Sequence, residues 1–267
     1  MGSLRRALVR IWVVAPVALA VLAFVSHDDR TGSVDIGSAL QVIDRSQAAL
    51  RSAEEITYDD ADLELLGVYV VADGALLDAA DAPPEHHRAW DVATRILPAV
   101  ELAQIRQLNV VTDGPAGTLA MVHRSGVAAD QWVLSIDAAE PTRVLEETLV
   151  HELAHLLTLR STDLTTTGPC DGVQLEIGCA RAGSALAQWA DAFWTDPTDA
   201  MAHDPDLHVS TYAATSVHED FAETFLAYVT GDHPTDAPTI QAKLAFFDTR
   251  PELVAAANQV RPRINVG

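Results

Sequence analysis

Leu145 to Leu159 reads LEETLVHELAHLLTL and contains His151-Glu152-Leu153-Ala154-His155. Two histidines four apart on a helix stand one turn above each other on the same face. Their imidazoles can then reach one metal ion. The carboxylate of Glu152, beside the first histidine, can hold and deprotonate a water bound to that ion. The segment suits a helix: Pro141 fits a first turn, Leu145, Leu149, Leu153 and Leu156 recur at helical spacing, and no Gly or Pro interrupts the run. The competing reading is an amphipathic helix whose two histidines merely border its apolar face.

Two imidazoles need a further protein ligand. The extension HExxHxxGxxH is absent, because Thr158 and Ser161 stand where its Gly and third His would be. The other source is a carboxylate on a later helix. Ser216 to Tyr228 reads SVHEDFAETFLAY, with Phe221, Phe225 and Tyr228 at helical spacing and Gly231 as a stop signal. Glu219 and Glu223 lie four apart on a face beside that aromatic stripe. One can bind a metal, and the other can hold a ligating imidazole in the correct tautomer. Ser216-x-x-Glu219 is also a capping box, in which Glu219 would tie off the helix start instead. His203 and His208 are isolated loop histidines and weaker ligand candidates. His86 and His87 are neighbours on an expected helix and do not face the same way, so both are expected at the surface.

Together, HELAH at 151–155 and EDFAETF at 219–225 resemble a gluzincin metallopeptidase. The pattern is similar to that of the lethal-factor-type proteases, whose second motif is Tyr, six residues, then Glu-x-Phe-Ala-Glu; Tyr212 meets that spacing. The resemblance implies a zincin-like fold and peptide-bond hydrolysis by a metal-activated water. It implies one Zn2+ held by His151, His155 and Glu219, with Glu152 as general base. It also implies Tyr212 as a hydrogen-bond donor to the developing oxyanion and Glu223 as the partner of a ligating histidine. It covers two short stretches, about residues 131–160 and 210–229, so no substrate identity comes with it. Two imidazoles and a carboxylate suit zinc, though other divalent ions occupy such sites. A catalytically silent zincin-like binding domain at the cell surface is the alternative, and the intact Glu152 argues against it. A zinc hydrolase acting on a non-peptide bond is a third reading.

The chain has 267 residues, 49% of them hydrophobic, which suffices for one sizeable core. Its net charge of −21 argues against nucleic-acid binding, since a phosphate backbone would be repelled. Arg5, Arg6 and Arg10 precede an uncharged apolar run from Ile11 to Val25. That order predicts export, with residues 1–26 a cleaved signal peptide or a single membrane anchor through residues 11–25. The bulk of the chain is then expected outside the cytoplasm, secreted or anchored. Cys170 and Cys179, the only cysteines, suit one disulfide closing a surface loop in an oxidising compartment. The expected partner is a peptide or protein substrate; oligomeric state stays open.

Residues 27–36 read as a linker ahead of a domain over 37–267, with an α/β part at 37–160 and a helical part at 161–267. Helices are expected over Ser38–Ala53, His86–Ile96 and Arg181–Trp194. Strands are expected at Leu66–Val71, Leu108–Val111, Leu119–His123 and Gln131–Ile136. Strands leading directly into the HExxH helix make an α+β pattern: a small mixed sheet packed on that helix, with a mainly helical C-terminal part. Were Gln131–Ile136 an edge strand, an extended peptide could add to it and lie beside the metal; an ordinary core strand is the alternative.

Overall fold

The computed structural model describes residues 53–58, 63–114, 119–126, 129–197, 207–234 and 237–264. The expected export segment and linker lie outside these residues, as does the expected helix over Ser38–Ala53 apart from Ala53. Among the described residues no helix is long and apolar enough to cross a membrane.

The fold is α+β. Strands β1 (Glu64–Ala72), β2 (Ala75–Leu76), β3 (Ile105–Thr112), β4 (Ala120–Arg124) and β5 (Trp132–Asp137) form a five-stranded sheet in the order β2-β1-β3-β5-β4. β3 and β5 run parallel, and the other neighbours are antiparallel, so the sheet is mixed. The strand just before the HExxH helix is therefore interior. β5 is buried along its whole length, as its near-continuous apolar sequence WVLSI requires of a strand covered on both faces. The edge next to it is β4, whose intermediate burial matches one free side; β2 is the other edge.

One face of the sheet, through Leu108, Val110, Leu134 and Ile136, joins a core with helices α1 (Pro84–Ile96) and α3 (Thr142–Thr158); a short α2 (Ala99–Leu102) lies between α1 and β3. His86 is buried there rather than at the surface. Its Nδ1 lies 2.7 Å from the Tyr69 hydroxyl of β1, so α1 turns that imidazole inward while His87 stays exposed. The opposite face carries Gln107, Asn109 and Ser135, all buried. Residues 53–58 cross it and supply their partners. Gln107 exchanges two hydrogen bonds with the Glu54 main chain, and the Tyr58 hydroxyl meets Asn109 at 2.8 Å and Ser135 at 2.9 Å. Buried amides and hydroxyls need such partners. The Glu54 carboxylate ends the strap on Arg106, Ser125 and Gly126.

After α3 the chain forms a second small sheet of β6 (Leu164–Thr165), β7 (Val173–Leu175) and β8 (Gly178–Ala180). Cys170 and Cys179 form a disulfide across it, as their pairing in the sequence suggested, with Cα atoms 5.4 Å apart. Gly172 is required there, since a Cβ would stand 2.0 Å from the Ala180 carbonyl oxygen. The C-terminal part is helical: α4 (Ala185–Phe193), α5 (Val217–Thr230), α6 (Pro238–Asp248) and α7 (Pro251–Val260). α4 starts later than Arg181, because Ser184 caps it by accepting the Ala187 N–H. Trp189, Phe221, Phe225 and Phe247 are fully buried between these helices in edge-to-face and tilted contacts.

Opening the Cys170–Cys179 loop with reductant is expected to lower unfolding free energy by about 2–3 kcal/mol, from the loop-closure entropy of a short loop. Denaturant titration with and without reductant checks this, and coincident midpoints would contradict it.

Candidate metal centre

α3 puts His151 and His155 on consecutive turns, both buried, their rings edge to face with centroids 4.8 Å apart. Leu145, Leu149, Leu153 and Leu156 bury the opposite stripe in the core, which fixes the rotation of the helix. α5 packs against α3 and faces the imidazoles with its first turn. Ser216 starts α5 by accepting the Glu219 N–H at 3.2 Å, and Gly231 ends it in the left-handed conformation at φ 77°. The Ser216 hydroxyl alone serves as the cap. The Glu219 carboxylate points to the histidines, so the two candidate roles of this position do not compete.

Three donor atoms converge. His151 Nε2 and His155 Nε2 are 3.0 Å apart, and Glu219 Oε2 lies 2.9 Å from the first and 3.4 Å from the second. A tetrahedral zinc with bonds of about 2.0–2.1 Å separates its ligand atoms by about 3.3 Å. The triangle, with edges of 2.9, 3.0 and 3.4 Å, is close to one face of such a site and slightly smaller. Glu219 Oε2, although close to both rings, is buried without a well-directed hydrogen bond. Among the described residues His151, His155 and Glu219 form the group able to hold a metal, with their donor atoms all within 4.8 Å of one another.

Glu223 stands behind His151, its Oε1 2.8 Å from Nδ1. A carboxylate accepts, so Nδ1 carries the hydrogen and Nε2 is directed to the centre. Burial alone would lower the His151 pKa, but Glu219 and Glu223 outweigh it and hold the ring at about 10 in the metal-free site. Burial likewise works to raise Glu219, and the two imidazoles overcome it, keeping that carboxylate far below the usual range. Glu152 is the contrasting case. Buried within α3, its pKa is raised chiefly by loss of water, and its Oε2 has no hydrogen-bond partner. The Val122 N–H of edge strand β4 is directed at this carboxylate. Tyr212 sits at the rim, 53% exposed, its ring 5.9 Å from that of His151. Burial of its hydroxyl and the Glu219 charge raise its pKa, so the phenol keeps its proton.

Every sequence-predicted site residue thus meets at one place except the cysteine pair, which serves the small sheet. His208 is not among them; it is buried against Asp220. His203 lies outside the described residues. Two neighbours escaped the sequence reading. Ser210 donates its hydroxyl to Glu223 Oε2 at 2.7 Å. His218, 2.9 Å from Ser216 Oγ, has its ring 5.8 Å from that of His155. Burial, reinforced by His155 and His151 and opposed by Glu219, lowers the His218 pKa to about 4. Its place next to Glu219 in the chain was the available signal; Ser210 offered none. Comparison with protein-family models, curated proteins and solved structures finds no match to this chain.

In chelator-treated protein the His151 value in the fold, about 10, exceeds its ordinary 6.5. The stabilisation it brings is whole below about 6.5 and is lost as pH rises through about 10. Glu223→Gln removes one of the two carboxylates responsible and is expected to flatten that loss. Melting temperatures of wild type and variant from pH 6 to 10 check this; parallel profiles would remove Glu223 from the control of His151.

Proposed function

We propose that this chain is an exported zinc-dependent endopeptidase of zincin-like architecture. The observation carrying the reading is the convergence of His151 Nε2, His155 Nε2 and Glu219 Oε2 within 3.4 Å of one another, with the buried Glu152 alongside. Two imidazoles and a carboxylate suit zinc. An ion held there supplies a Lewis acid and lowers the pKa of water to about 7.

The chain's own residues then divide the work. Glu152, whose pKa is raised by burial, accepts a proton from the attacking water and passes it to the leaving amine. The Tyr212 hydroxyl, protonated and at the rim, donates to the oxyanion that forms on the scissile carbonyl. Glu223 keeps His151 in the Nδ1–H form. The free side of β4, which reaches Glu152 through Val122, offers main-chain groups to an extended peptide. This shifts the expected peptide-pairing strand from β5 to β4. The buried base speaks against a silent binding domain, because burying an ionisable group without a task costs stability. The basic-then-apolar N-terminal run supports export, and the Cys170–Cys179 disulfide suits an oxidising compartment.

Purified protein is expected to contain one zinc per chain, and Glu219→Ala to lose it, by elemental analysis. Zinc retained equally in both would remove Glu219 from the ligand set. Glu152→Gln is expected to keep zinc while peptide-library hydrolysis falls by about 10²–10⁴-fold; full activity would sink the mechanism. Tyr212→Phe is expected to lower turnover by about 10²–10³-fold with zinc unchanged, and equal turnover would remove Tyr212 from the site.

A further inference from the structure

Beside the metal centre lies a second buried polar cluster that the proposed reaction does not use. Asp220, the residue after Glu219, is completely buried and accepts four side-chain hydrogen bonds. Oδ1 takes His208 Nδ1 at 2.8 Å and Lys243 Nζ at 2.8 Å. Oδ2 takes the indole N–H of Trp189 at 2.8 Å and of Trp194 at 2.9 Å. Lys243, also buried, gives a further hydrogen bond to the Leu207 carbonyl at 3.0 Å. A buried, fully partnered carboxylate of this kind holds its partners in one arrangement.

Two of those ties fall on consecutive residues of one segment. Leu207 and His208 open the stretch 207–213, which carries Tyr212. A second fastening follows at once. Ser210 donates to Glu223 Oε2 at 2.7 Å and accepts the Ala213 N–H at 3.0 Å, closing the turn around Tyr212. Asp220 and Glu223 are three apart on α5, so the segment is pinned along the helix that also carries Glu219. Tyr212 itself is half exposed and sits at the rim, so its place over His151 depends on what anchors the segment at either side.

We infer that Asp220 is a positioning residue: its carboxylate, through His208 and Lys243, fastens the 207–213 segment to α5 and so holds Tyr212 over the His151 ring. The placement of Tyr212 follows from these contacts directly. Only its consequence for turnover rests on the peptidase reading.

The chain has four tyrosines, at positions 58, 69, 212 and 228, so full-length protein labelled with 3-fluorotyrosine gives four ¹⁹F resonances, and Tyr212→Phe assigns the one of interest. Asp220→Asn is the selective variant. Its remaining oxygen can still accept from the two indoles, while its amide faces two other donors, Lys243 and His208. His208→Ala, which leaves Asp220 its lysine, is the second variant should the first fail to fold. Both are expected to displace or broaden the Tyr212 resonance and leave those of Tyr58 and Tyr69, on the sheet side, in place. An unmoved Tyr212 resonance, or all four collapsing together in both variants, would overturn the proposal. In peptide hydrolysis, Asp220→Asn is expected to lower kcat as far as Tyr212→Phe does, with KM and zinc content kept and no further loss in the double variant; full additivity would overturn it. A protein that neither binds zinc nor cleaves peptide would remove the peptidase reading and leave the fluorine result to decide this one.

Discussion

Where α3 and α5 face each other, His151, His155 and Glu152 are buried, and Glu219 and Glu223 are largely withdrawn from water. Charged groups lose several kcal/mol each on leaving water unless other charges or hydrogen bonds compensate. Here they compensate one another: the carboxylates raise His151, and the imidazoles lower Glu219. The compensation is incomplete: loss of water raises the Glu152 pKa further than His155 and His151 lower it, and Glu219 adds to the rise. A divalent cation, as proposed, supplies the positive charge this set lacks. The same electrostatics that keep a proton on His151 without metal would favour a cation in its place.

Such a cluster survives only if the two helices cannot slide. Leucines of α3 anchor in the core shared with the sheet and α1. The aromatic side chains of α5 anchor among Trp189 and Phe247. Each helix is thus held by its apolar stripe and presents its polar stripe to the other. The sheet is stiffened from behind by the strap at residues 53–58, which satisfies the buried amides of Gln107 and Asn109. Polar groups on that face make the strap part of the domain rather than an appendage.

Function, on the proposed reading, comes from differences in burial around one point. The base is fully enclosed, the donor atoms are enclosed but convergent, and Tyr212 stands half in solvent where a substrate can meet it. Strand β4 brings a free edge to Glu152, while the Asp220 cluster steadies the segment that carries Tyr212. Rigid elements thus hold a site that remains open at its rim.

Local spacing made much of the site legible in the chain. His151 and His155 are four apart, so any helix through them aligns their rings. Glu219 and Glu223 obey the same rule, and Cys170 and Cys179 had no other partners to choose. The strands showed as short β-branched runs, and the α+β class followed from their order. What lay beyond the sequence were relations between distant segments. Sequence pattern made β5 and β4 look alike as strands, and only pairing with β3 decided which became the edge. His86 looked like a surface residue until Tyr69 of another element met it. Whether Glu219 capped its helix or faced the histidines depended on α3, some seventy residues earlier in the chain. The four donors on Asp220 come from positions 189, 194, 208 and 243, a set no periodicity links. Helix and strand periods fix which side chains share a face; which faces meet is decided by packing the whole core, and that is settled only in three dimensions.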